Sequence, residues 1–71
     1  MKRDYSDLLA KIILKYGTRN AFAKEMSISL ATLISRLSGK SDFTQKEIEK
    51  ICELLEIDHE EIPMYFFKVL V

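Results

Sequence analysis

Apolar side chains near the start of the chain recur at Tyr5, Leu8, Leu9, Ile12, Ile13 and Tyr16, steps of three and four that gather them on one face of a helix over 4–16. Gly17 supplies its C-terminal stop. Thr18 predicts an N-cap for a short second helix, Arg19 to about Met26, whose inward stripe is Phe22, Ala23 and Met26. Met26-Ser27-Ile28 breaks the pattern, and Ser29 is placed to cap a third helix from Leu30 to Leu37, closed by Ser38-Gly39-Lys40-Ser41.

The next segment carries the clearest local signal. Thr44-Gln45-Lys46-Glu47 is a capping box, with Phe43 and Ile48 as the two halves of a hydrophobic staple, so a fourth helix starts at Gln45. Ile48, Ile51, Cys52 and Leu55 form its inward face, and Glu49, Glu53 and Glu56 point outward. Asp58-His59-Glu60-Glu61 repeats the capping pattern, with Ile57 and Ile62 as a second staple, and predicts a short fifth helix. Pro63 lacks a backbone N–H and is expected to end or kink that turn, leaving an apolar tail over 64–71. That tail, rich in aromatic and β-branched residues, either pairs with a second copy of the chain as an edge strand, giving a homodimer, or folds back over the first helix.

Seventy-one residues suffice for one small hydrophobic core, so a single domain over 1–71 is expected. Two Gly and one Pro among many Leu, Ile, Lys and Glu favour an all-α bundle of four to five helices over a many-turned β fold. With 48% apolar and 31% charged residues the composition is that of a soluble globular chain. Charges interrupt the N-terminus and no apolar run reaches the ~20 residues that span a bilayer, so a cytoplasmic protein with no membrane partner is expected. The single cysteine, Cys52, fits a reducing compartment and reads as a packed thiol; with one histidine, His59, an all-protein zinc site is not expected. No nucleophile–base array, phosphate loop or spaced acid pair occurs, so neither an enzyme, a cofactor nor a small-molecule substrate is expected.

Net charge is zero, but it is unevenly spread. Residues 1–46 carry nine bases and four acids, whereas 47–71 carry two bases and seven acids. The basic part can neutralise phosphates, and the acidic part would be turned away from a polyanion.

Two short helices separated by a three-residue break and followed by further helices are the layout of a helix-turn-helix over 19–37. Such a crossing needs a small residue in the first helix, an apolar plug in the turn and an aliphatic residue one turn into the second. Ala23, Ile28 and Leu33 hold those positions. Residues 18–33 resemble the Cro and phage-repressor helix-turn-helix family, of lambda-repressor-like fold. Ser38-Gly39-Lys40 resembles the loop after its recognition helix, and the segment through Ile62-Pro63-Met64-Tyr65-Phe66-Phe67 resembles short phage Cro-like and modulator-of-repression proteins of Gram-positive hosts.

The resemblance implies a phage-type transcriptional regulator of a lysis/lysogeny switch that binds double-stranded operator DNA. Leu30, Ala31, Ile34 and Ser35 align with groove-facing positions of the recognition helix, and Arg19 and Lys40 with phosphate-contacting ones. Thr44 and Lys46, opening the fourth helix, are further phosphate candidates, and Arg36 either reaches phosphate or pairs with an acid. Two features depart from the family pattern: Ser27 stands where the turn usually has Gly, and the groove face lacks the Arg, Lys, Asn or Gln that read base edges. The alternative is therefore an antirepressor, or modulator of repression, whose third helix binds the cognate phage repressor and alters or blocks its DNA binding. Leu30 and Ile34 also lie on one arc with Leu33 and Leu37, as core residues would.

Overall fold

The computed structural model describes residues 3–70, which form five α-helices and one 3-10 turn. Helix α1, Ser6–Tyr16, sinks Leu8 and Ile12 completely, and α2, Arg19–Met26, contributes Phe22, Ala23 and Met26 to the same core. Leu33 of α3, Leu30–Leu37, and Ile51 and Leu55 of α4, Gln45–Leu55, close it from the other sides. The 3-10 turn His59–Glu61 leads into α5, Ile62–Phe66, which buries Phe66. Helix α1 packs on α2, α4 and α5, while α2 also touches α3 and α4. The result is the all-α bundle that the helical spacing predicts.

The helix ends are where the residue types dictate. The hydroxyls of Thr18, Ser29 and Thr44 accept the backbone N–H of Ala21, Thr32 and Glu47 at 3.1, 3.0 and 3.1 Å. Each satisfies a donor that its helix's first turn would otherwise leave unpaired. Glu47 completes the predicted capping box, accepting the Thr44 N–H at 2.9 Å.

The break between α2 and α3 is a Schellman-type stop. Ser27 adopts φ 59° and ψ 37°, its N–H bonds to the Lys24 carbonyl at 3.1 Å, and Ile28 N–H reaches the Ala23 carbonyl at 3.0 Å. Ile28 is thereby turned in against the core. Ser27 thus holds the left-handed conformation at a position where the turn usually has Gly, and Glu56 repeats it at the end of α4 with φ 56°.

Two details differ from the sequence-based expectations, and the tail follows one of the two courses they left open. Helix α1 begins at Ser6, not Asp4, because the Asp4 carboxylate accepts the Ser6 N–H and hydroxyl at 3.0 and 2.6 Å while the Asp4 N–H is drawn off to the Lys68 carbonyl at 2.7 Å. Pro63 does not end a helix; it lies in the first turn of α5, where a missing N–H leaves no bond unmade. The tail folds back on its own chain: Val69 bridges Arg3 in antiparallel sense, and the Lys68 ammonium lies 3.2 Å from Asp7 and 3.8 Å from Asp4. Its backbone is thus paired within the chain, along the segment that enters α1.

Candidate interaction surface

Helix α3 has one inward side and one outward side. Leu33 is fully buried and Leu37 packs against the core, whereas Leu30 and Ile34 are 36% and 39% exposed and Ala31 is exposed beside them. The arc that a core reading would close is therefore open at Leu30 and Ile34. The fourth groove-face residue is oriented otherwise: Ser35 is half-buried, and its hydroxyl meets the Ser41 hydroxyl at 2.8 Å. What α3 offers outward at these positions is two aliphatic side chains and a methyl.

The predicted phosphate contacts divide into free and engaged groups. Arg19 opens α2, Lys40 follows α3 and Lys46 stands in the first turn of α4; all three are exposed. Arg36 takes the second of its two sequence-based options. Its Nε and Nη2 donate to the two carboxylate oxygens of Glu47 at 2.9 and 3.3 Å, and Nη1 donates to Ser41 at 2.7 Å. Thr44 is spent as well, since its hydroxyl caps α4 and the Glu47 carboxylate occupies its backbone N–H. A phosphate arriving at this helix start would meet a carboxylate already in place.

Burial alone would raise the Glu47 carboxyl, but the Arg36 hydrogen bond, the Thr44 N–H and the Arg36 charge together hold it below the usual glutamate range. Burial pushes the half-buried Cys52 thiol up, away from the thiolate that nucleophilic chemistry requires. No group of three or more His, Cys, Asp or Glu side chains placed to hold a metal ion occurs among the described residues, nor does a helix long and apolar enough to cross a membrane.

A second feature was not legible in the sequence. The entry segment of α1, the α3–α4 loop, the start of α4 and α5 border a half-open cavity of about 560 Å³ walled by Tyr5, Phe43, Phe66 and Phe67, with Asp42 and Glu49 also lining it. Tyr5 and Phe66 each meet the Phe43 ring edge-on, at centroid distances of 5.2 and 5.6 Å. Phe43 was recognisable as half of a staple, but the rings of the cavity come from three separate stretches of chain, and only the fold joins them.

Comparison with known proteins adds to this picture. The chain is 42% identical to the modulator of repression (MOR) of the temperate bacteriophage TP901-1 from Lactococcus lactis; the match covers 99% of this chain and 97% of that one, and the solution structure of that protein superposes with a TM-score of 0.82. No curated protein matches the sequence significantly. Residues 1–69 match the family described as "protein of unknown function (DUF739)", and the chain therefore belongs to the DUF739 family.

Proposed function

We propose that this protein is a modulator of repression in a phage-type lysis/lysogeny switch, which binds the cognate phage repressor through the outward side of α3 and alters or blocks the repressor's DNA binding. Leu30, Ala31 and Ile34 are its contact residues, with Ser35 at the margin. The observation that carries the reading is the exposure of Leu30 and Ile34, at 36% and 39%, on a helix whose neighbouring polar groups Ser35 and Arg36 are bonded internally. A base-reading helix needs free donors and acceptors at these positions, whereas a protein-binding helix needs apolar anchors. The 42% identity to a modulator of repression supports the same side of that choice.

The test is co-purification of the tagged protein with the repressor encoded beside it. Leu30→Asp and Ile34→Asp are expected to abolish the complex while leaving the helical circular dichroism intact. Undiminished binding by both would reject this interface.

A second reading, Cro-like binding of operator DNA, draws support from the exposed cations Arg19, Lys40 and Lys46 and from the α2–turn–α3 crossing. It requires that the isolated protein shift an operator fragment with sequence preference, and that each cation removed flatten the salt dependence by about one unit of slope. On the reading preferred here the protein alone shows no sequence preference, and it changes operator occupancy only when the repressor is present.

A further inference from the structure

We propose that the aromatic cavity between the start of α1, the α3–α4 loop and α5 is a receptor for an arginine side chain projecting from the basic surface of a protein partner. The inference rests on the proposed function for the identity of that partner, since a repressor's DNA-facing surface must carry Arg and Lys to neutralise phosphates.

The walls have the chemistry that a guanidinium seeks. Its flat face stacks on aromatic rings, and its edge donates several hydrogen bonds in a fixed fork. Phe43 and Phe67 supply rings, and Phe67 is 48% exposed. The chain already shows that this wall accepts such a group: the Arg3 guanidinium lies 5.1 Å from the Phe67 ring centroid and donates to the Phe67 carbonyl at 3.3 Å.

Acceptors line the same space. Asp42 and Glu49 belong to none of the ion pairs among the described residues, which are Arg36 with Glu47 and Lys68 with Asp4 and Asp7. Tyr5 lines it as well.

Charge decides between possible occupants. Two carboxylates against the one guanidinium of Arg3 leave the lining net negative with His59 neutral. A phosphate or an acidic peptide is disfavoured there, whereas a cation is drawn in.

The experiment is an NMR titration of the full chain with a capped triarginine peptide, beside a capped triglutamine peptide. The arginine peptide is expected to shift the ring signals of Tyr5, Phe43 and Phe67, and the glutamine peptide to leave them in place. Asp42→Asn with Glu49→Gln should weaken the arginine peptide by roughly five-fold or more, whereas Glu53→Gln with Glu56→Gln changes the ring shifts little. Unmoved ring signals in the wild type, or an equal loss in the Glu53/Glu56 variant, would overturn the inference. The repressor complex separates the two proposals. If the wild type binds repressor and the Asp42/Glu49 variant binds as tightly, the cavity is not the receptor and the function stands. If the arginine peptide fills the cavity but no repressor complex forms, the proposed function fails and the receptor stands.

Discussion

Arg36 on α3 and Glu47 on α4 meet as a two-pronged pair, Nε on one carboxylate oxygen at 2.9 Å and Nη2 on the other at 3.3 Å. The oxygen that receives Nε also accepts the Thr44 N–H at 2.9 Å, so one carboxylate caps α4 and ties it to α3. The two side chains are 20% and 15% exposed, between a surface pair and a buried one. Glu47→Gln is expected to cost about 2 kcal/mol, because a half-buried guanidinium loses its charged acceptor. Urea denaturation of Glu47→Gln, Arg36→Met and the double variant checks this; a coupling of about 1 kcal/mol is expected, and additivity would show that the pair contributes nothing of its own.

The same pair sets a dependence on pH. Glu47 titrates below its ordinary value of 4.5 in the folded protein, so between the two values the unfolded chain binds the extra proton. Stability from this group is fully present above pH 4.5 and is lost as pH falls through the lowered folded value. Asp4, held low by the Ser6 hydroxyl and N–H, has the same sign. Urea midpoints measured from neutral to acid pH should therefore fall below pH 4.5, and Glu47→Gln should flatten that fall.

How much of this was visible in the sequence follows from the range of the forces involved. Thr18, Ser29 and Thr44 act on backbone within three residues, and the helices they start lie where the sequence places them. The outward side of α3 was readable as residues, but whether Leu30 and Ile34 were covered depended on which elements pack against α3, which periodicity does not encode. Arg36 could be narrowed to phosphate or acid; choosing Glu47, eleven positions away, needed the loop geometry. Pro63 was misread because its effect depends on its place in a helix, and a first-turn proline and a terminating one look alike until the helix start is known. The cavity was invisible because Tyr5, Phe43 and Phe67 have no local pattern in common.

Ser27 holds a left-handed backbone that disfavours a side chain, at φ 59°. Ser27→Gly keeps the stop between α2 and α3 and removes the strain, so a gain of up to about 1 kcal/mol is expected, or about 4–8 °C in melting temperature for a domain of this size. A melting curve checks it. Destabilisation would mean that the added freedom of the unfolded chain outweighs the relieved strain.

The two sides of α3 should respond in opposite ways to truncation. Leu33→Ala empties a fully buried site and is expected to cost about 2–5 kcal/mol, enough to threaten a small domain. Leu30→Ala and Ile34→Ala, on the open side, should each stay within about 1 kcal/mol in denaturation. If Leu30→Ala costs as much as Leu33→Ala, the outward side of α3 is core in solution and no partner is needed to explain it.

Removing the chain beyond Phe67 separates the roles of the tail. A cut at Pro63 would also delete Phe66, which is 2% exposed, and would report only loss of core. A cut after Phe67 keeps the Phe67 N–H bond to the Pro63 carbonyl at 3.0 Å and removes the Asp4–Lys68 backbone bond, the Val69–Arg3 bridge and the Lys68 ion pairs. The expected cost is about 1–2 kcal/mol, most of it from the backbone bond, because ion pairs as exposed as those of Lys68 contribute little. Lys68→Ala alone should accordingly change stability by less than about 0.5 kcal/mol. Sedimentation equilibrium of the shortened chain should give the same mass as the full one, since the backbone groups a second copy would need are paired with the chain's own N-terminal segment. A halved mass would show instead that the tail exchanges between copies, with the Arg3–Val69 pairing made across the dimer.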